Sequence, residues 1–309
     1  MNSLEIYRFL EEAARLNQQA VLVTLVSAVG SSMRNPGAQI AVRADGQFVG
    51  SVSGGCVEAD VLERAQMVLA GAPAMLRRYG VADDAAWDVG LPCGGDIVVL
   101  VQPVSADGFL ESLFADIVTA RRNGAMLSVV TDLATGRSIA SDDAQVDGFV
   151  NVYYPPRRLL IVGAVEIAAA LSAIAVSQGI DVTLCDPRGR FLTADRFPNV
   201  RLDDRWPDDA VQAFAPDSRS AIVTLSHDVK IDDPALIAAL VSPAAYVAAL
   251  GSVRSHQARL SRLSAAGVSA EQCARIEGPA GVAINAISAP EIALSIAGGM
   301  VRAFNMGLR

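Results

Sequence analysis

The chain is poor in histidine, with only His227 and His256 in 309 residues. Its four cysteines, Cys56, Cys93, Cys185 and Cys273, show no CxxC spacing. Structural zinc needs clustered thiolates and imidazoles, so no metal site is read here. Four scattered cysteines in a long chain also make no disulfide framework. Aromatic residues are 5% of the chain, and Asp plus Glu outnumber Lys plus Arg by 33 to 25, for a net charge of −8. That balance supplies no general basic surface for nucleic acid. Nor does any segment reach the ~18 uninterrupted apolar residues of a membrane span. The nearest are 164–176, interrupted by Glu166, and 292–300, which is short and carries Gly298-Gly299. The segment MNSLEIYRFLEEAARLNQQA reads as an acidic amphipathic helix, without the charged and apolar regions of a signal peptide. The expectation is a cytoplasmic protein with neither membrane nor nucleic acid as partner.

What is present is apolar material for cores, 52% of residues, over a length that suits two domains. The prolines of Tyr153-Tyr154-Pro155-Pro156 interrupt regular structure, and the pattern changes there. The expected domains are 1–153 and 154–309. In the first, strands at 20–26 and 96–101 accompany a hairpin whose arms, 39–42 and 47–52, flank the turn dipeptide Asp45-Gly46. Helical spacing covers 58–69 and 110–122, with a strand at 125–130. This is a mixed α/β domain whose strand order the sequence does not give. The second alternates regularly: strands at 158–162, 181–185, 221–225 and 246–250, helices at 166–177, 234–241, 255–265 and 289–304. Such alternation predicts a doubly wound parallel sheet, with ligands beyond the carboxyl ends of its strands. The acid-rich stretch 203–209 reads as a solvated loop.

Five segments are candidates for chemistry. Gly30-Ser31-Ser32-Met33-Arg34-Asn35-Pro36-Gly37 follows a strand; its glycines let amides approach an anion, and Arg34 adds a fork for phosphate. The same composition suits an ordinary turn. Ser53-Gly54-Gly55-Cys56 joins a strand to a helix. Gly54 and Gly55 remove side chains where the amides of the helix start are unpaired, and Cys56 is expected in the first helical turn, where the dipole favours a thiolate. Cys93-Gly94-Gly95 precedes another strand. A small buried cysteine is the bland alternative for either thiol.

The other two lie in the second domain. At Gly163-Ala164-Val165-Glu166 a branched side chain replaces the glycine that admits pyrophosphate, and Glu166 opposes its charge. That argues against NAD(P), although Asp186 stands near the ribose-binding distance. His227-Asp228 and Gly251-Ser252 with Arg254 complete a polar rim just past strand ends. The rim reads equally as a plain loop edge. No G-x-S-x-G elbow supports a Ser–His–Asp triad.

In this order the segments resemble the XdhC/CoxI family, accessory factors of xanthine dehydrogenase and related molybdenum hydroxylases. The resemblance rests on Gly30-Ser31-Ser32 with Arg34, Gly54-Gly55-Cys56 with Glu58, Cys93-Gly94-Gly95, Asp186-Pro187-Arg188, His227-Asp228 and Gly251-Ser252 with Arg254. It continues through Pro279, Gly281 and Pro290-Glu291-Ile292-Ala293. It implies an N-terminal α/β domain followed by a Rossmann-like one, commonly in a homodimer. The implied role is to bind molybdenum cofactor, as molybdopterin or its dinucleotide form, protect it during sulfuration by a cysteine desulfurase, and deliver it to a molybdenum hydroxylase client. Cys56 and Cys93 are then candidate thiols, and the glycine loops and rim the cofactor-binding residues. Two other readings are a nucleotide-dependent oxidoreductase using the second domain, and a scaffold that binds its target by shape alone.

Overall fold

The computed structural model describes residues 3–30, 34–80, 95–141 and 148–306. The chain divides into two compact units, Met1–Pro155 and Pro156–Arg309. Unit 1 runs α1 (Ser3–Arg15), β1 (Ala20–Val29), β2 (Gln39–Arg43), β3 (Phe48–Gly50), α2 (Glu58–Leu69), β4 (Met75–Tyr79) and β5 (Asp96–Pro103). Then follow α3 (Ser112–Arg122), β6 (Leu127–Thr131), β7 (Ser138–Ala140) and β8 (Phe149–Tyr153). The first five strands form an antiparallel sheet in the order β3-β2-β1-β5-β4, and the last three a separate sheet, β7-β6-β8.

Period-two alternation along β1 explains why its run is apolar throughout. Val21, Val23 and Leu25 pack with Val57, Val61 and Val68 around α2, while Ala20 and Leu22 meet Tyr7, Leu10 and Phe114 around α1 and α3. Both faces are covered, so both must be apolar. The hairpin at Asp45-Gly46 forms, with a three-residue loop rather than two. The Arg43 amide donates to Gln47 O at 2.9 Å, and Gly46 takes φ +83°. One polar group sits inside the α1 side of this core. Gln39 accepts from Tyr7 Oη at 2.8 Å and donates to Tyr153 Oη at 3.1 Å and Thr24 Oγ1 at 3.2 Å. Burial of the amide is tolerable because its neighbours satisfy it.

Unit 2 runs β9 (Arg158–Val162), α4 (Glu166–Ser177), β10 (Asp181–Cys185), β11 (Arg201–Asp203), α5 (Pro207–Phe214), β12 (Ser220–Thr224) and α6 (Val229–Leu240). It ends with β13 (Tyr246–Ala249), α7 (Val253–Ala265), α8 (Ala270–Ala274), β14 (Ile276–Glu277) and α9 (Ala289–Met306). Its six strands are all parallel, in the order β11-β10-β9-β12-β13-β14, the doubly wound Rossmann-like arrangement. Leu159 and Ile161 face α4 and α9, while Leu160 and Val162 face the helices of the other layer. No helix among the described residues is long and apolar enough to cross a membrane.

Two expectations need correction. The stretch read as a solvated loop, 203–209, instead ends β11 and starts α5. Pro207 stands at the first helical position, and Asp208 and Asp209 lie in the first turn, where carboxylates suit the dipole. The helix expected from residue 234 begins at Val229, because Asp228 caps it by accepting from the Lys230 amide at 2.9 Å. Pro234 therefore lies inside the helix, not at its start.

The turn after β9 needs glycine. Gly163 has φ +108°, and a Cβ there would stand 2.8 Å from the Ser226 amide nitrogen. Gly163→Ala is expected to cost about 2 kcal/mol or more, from the disfavoured dihedral plus the backbone clash. Urea unfolding of the full chain checks this; a midpoint equal to the parent's would show that the turn adapts.

Candidate functional site

In unit 1 the candidate residues Gly54, Gly55 and Cys56 lie in the segment between β3 and α2. The amides expected to be free are occupied. Glu58 opens α2, and its carboxylate turns back over the loop. Oε1 accepts from Ser51 Oγ at 2.8 Å and from the amides of Ser53 at 3.0 Å and of Val52 and Gly54 at 3.2 Å. Oε2 accepts from the Gly55 amide at 2.9 Å, the Val57 amide at 3.2 Å and Ser53 Oγ. Burial alone would raise the pKa of this carboxyl. The donors from Ser53 and Ser51 outweigh that and hold it at about 2. Gly54 and Gly55 have φ +89° and +121°, the left-handed region that lets successive amides converge on one anion.

Cys56 therefore lies outside the helix rather than in its first turn. Its amide donates to Ser53 Oγ at 3.0 Å, and its side chain is exposed. Cys185, by contrast, is buried at the end of β10, where desolvation pushes its thiol up to about 12. In unit 1, Gly30 follows β1 at φ +78° and Arg34 is half-buried before β2. Gly95 is buried just ahead of β5. Ser31, Ser32, Cys93 and Gly94 lie outside the described residues.

In unit 2 the parallel sheet brings Asp186, His227, Asp228, Gly251 and Ser252 to one edge, past the ends of β10, β12 and β13. Asp186 is fully buried, and its carboxylate is committed. Oδ2 accepts from the Ala164 amide and from Arg188 Nη2, both at 2.8 Å, and Oδ1 accepts from the Arg188 amide and Nε, both at 2.9 Å. Burial opposes ionisation, but these bonds keep its carboxyl below the usual range. The residue at the ribose-binding position thus closes the nucleotide loop on itself. Asp228 caps α6, and Ser252 caps α7 by accepting from the Ser255 amide at 3.2 Å. His227 is exposed with φ +60°. Arg254 is exposed on α7.

Two polar side chains in this edge escaped the sequence reading. Arg259 and Asp232 are 5% and 3% exposed, and both line a cavity of ≈ 130 Å³ with His227, Ser255 and Arg262. A signal was there for Arg259. The buried stripe of α7 is His256, Arg259 and Leu263, so two polar residues occupy core positions of an amphipathic helix.

The Glu58 clamp makes a pH prediction. A carboxyl depressed from 4.5 to about 2 contributes stability that is complete above pH 4.5 and lost as pH falls towards 2. Glu58→Gln cannot accept through both arms, so it is expected to be less stable than the parent at pH 7. The gap should close between pH 4.5 and 2 in denaturant titrations; a gap constant with pH would mean that the carboxylate charge is not what holds the loop.

With this geometry in hand, comparison with known proteins is informative. Residues 159–300 match the family model described as the XdhC Rossmann domain, and residues 13–80 that of the XdhC and CoxI family. The chain is 31% identical over 300 residues to the molybdenum cofactor insertion chaperone PaoD of Escherichia coli, covering 94% of this chain and 85% of that protein. It is 23% identical over 308 residues to a probable xanthine dehydrogenase subunit from Bacillus subtilis, covering 90% and 91%. A crystal structure described as a xanthine dehydrogenase from Bacillus halodurans superposes with a TM-score of 0.81 at 25% identity, covering 97% and 96%. The likeness runs through both units and exceeds what a shared sheet topology alone would leave: the chain belongs to the XdhC and CoxI family.

Proposed function

We propose that this chain is a maturation factor for a molybdenum enzyme. It binds molybdenum cofactor, as molybdopterin or its dinucleotide form, shelters it while a cysteine desulfurase supplies sulfur, and passes it to a molybdenum hydroxylase of the xanthine dehydrogenase type. It works as a homodimer in the cytoplasm. The cofactor is cargo, carried and released rather than turned over. The observation that carries this reading is Cys56, an exposed thiol on a loop whose conformation is held by the Glu58 carboxylate. Sulfur is the ligand type that soft metal centres accept. Likeness to a protein named as a molybdenum cofactor insertion chaperone supports the same role.

Fit to the cargo narrows the assignment. While Glu58 fills the amide nest, Gly54 and Gly55 have no donors left for an anionic group, so the loop's contribution is the thiol. Gly30, Arg34 and Gly95 remain candidates for the rest of that surface, with Ser31, Ser32, Cys93 and Gly94 assigned from sequence alone. In unit 2, Arg254 is an exposed guanidinium able to pair with phosphate in two prongs. The oxidoreductase alternative is disfavoured by Asp186 and the Ala164 amide, which are bonded to each other.

Protein purified from a cofactor-producing host is expected to carry pterin and molybdenum, and Cys56→Ala to lower both, with a further loss on adding Cys93→Ala. Unchanged content and undiminished client activation in the double variant would remove the thiols from the reading. Calorimetric titration with NAD(P) is expected to give a Kd weaker than about 1 mM, equivalent to about −4 kcal/mol. Micromolar binding would restore the oxidoreductase.

A further inference from the structure

The cavity at the carboxyl edge of unit 2 contains a buried guanidinium whose hydrogen bonds go only to uncharged groups. Ser255, Arg259 and Arg262 follow one another at i, i+4 and i+7, so one face of α7 makes a wall of the cavity, with Ala258 beside them. Asp232 of α6 and His227 from the preceding turn also line it. Arg259 is 5% exposed. Its Nη2 donates to Leu250 O at 2.7 Å, its Nη1 lies 3.4 Å from His256 Nδ1, and its Nε has no partner. Among the described residues no carboxylate pairs with it. Asp233 is taken by Arg262 through bonds of 2.7 and 3.0 Å, and Asp232 accepts from Ser226 Oγ at 2.7 Å. Asp232 and Asp233 favour its charge from nearby without bonding to it; a guanidinium withdrawn from water with no charged hydrogen-bond partner is costly, so one kept beside a cavity can take an anion as that partner.

We propose that this cavity binds a phosphoryl oxyanion, as inorganic phosphate or as the end group of a phosphomonoester, with Arg259 as its counter-charge. The inference concerns unit 2 alone and does not depend on the cargo reading. Arg259 Nε and Arg262 Nη1 on one helix, with the His227 imidazole from another segment, distribute donors in a way that suits a tetrahedral anion better than a planar carboxylate, the Ser255 hydroxyl being given to Ser252 O at 2.9 Å. His227 reaches this edge through a left-handed turn at φ +60°. Asp232 sets the selectivity. Burial raises its pKa, and its carboxyl faces the same space as the cation. One proton shared between Asp232 and a phosphoryl oxygen removes the repulsion between two acceptors. Inorganic phosphate, and phosphomonoesters with a second pKa of about 6, can carry that proton near neutrality, and sulfate cannot.

The test is calorimetric titration of the full chain, in phosphate-free buffer, with inorganic phosphate, with adenosine 5′-monophosphate and with sulfate. Phosphate is expected to bind, and sulfate to bind at least about tenfold more weakly, a difference of about 1.4 kcal/mol. Equal affinity for phosphate and the nucleotide identifies free phosphate as the ligand; tighter binding of the nucleotide identifies a phosphomonoester. Arg259→Gln should weaken binding by about ten- to a hundredfold, the range for a lost charge-assisted bond. Because that change alters a buried position, Ala258→Phe serves beside it: it fills the cavity while sparing every hydrogen bond of Arg259. It should abolish binding with an unchanged circular dichroism spectrum. The proposal fails if neither phosphate nor the nucleotide binds the parent, or if Ala258→Phe binds as the parent does. Sulfate binding as tightly as phosphate would overturn the choice of a proton-bearing anion.

Discussion

The carboxylate of Glu58 accepts from five backbone amides and two hydroxyls, and the path of the chain between β3 and α2 follows from that convergence. Successive left-handed glycines would otherwise sample many conformations. With an internal anion at their focus they adopt one, and the exposed thiol of Cys56 is fixed relative to the helix that follows. The loop has the form of an anion site and the substance of a scaffold. It spends its electrostatic potential on its own chain, leaving sulfur as the group it offers outward.

Unit 2 repeats this logic at a second place. The nucleotide loop after β9 points its Ala164 amide at the buried Asp186, and Arg188 closes over the same carboxylate. A Rossmann-like sheet is thereby retained for its capacity to align loop ends along one edge, while its usual ligand position is tied off internally. The open chemistry shifts along the sheet to the far side of β12, where α6 and α7 enclose Arg259 and Asp232. Both units close their most recognisable glycine turn and leave a less recognisable neighbour available.

Where periodicity and punctuation agreed, the elements were legible in the sequence. β9, α4 and β10 fall on the expected residues because each is a continuous apolar run bounded by glycine or a capping position. The short strands β4, β7 and β8 were not, since their stability comes from pairing with distant partners; Met75 meets Val101, and Phe149 meets Thr131. Pro234 was misleading in an instructive way. A proline within the first turns of a helix looks like its start, and that reading kept Asp232 outside α6 and away from Arg259. At the candidate site, Cys56 was visible as a residue type in a glycine loop. The role of Glu58 was not, because a glutamate at a helix start suits the dipole without revealing that its oxygens fold back over the preceding turn.

The Gln39 bonds join α1 and β2 to the last strand of unit 1, and this has a bearing on biosynthesis. Tyr153 is separated from Gln39 by 114 residues, so the amide and the Tyr7 hydroxyl wait for most of the unit to be translated. At ribosomal rates that interval is on the order of ten seconds, long beside hairpin or helix formation. In unit 2 the first parallel pair unites Arg158 with Asp181 shortly after both emerge, but Leu159 and Leu171 share their core with Met300 and Phe304 of α9 at the far end of the unit. Each unit therefore passes most of its own synthesis with an incomplete core. Both units thus have an extended window in which the cell's own holding chaperones are of use.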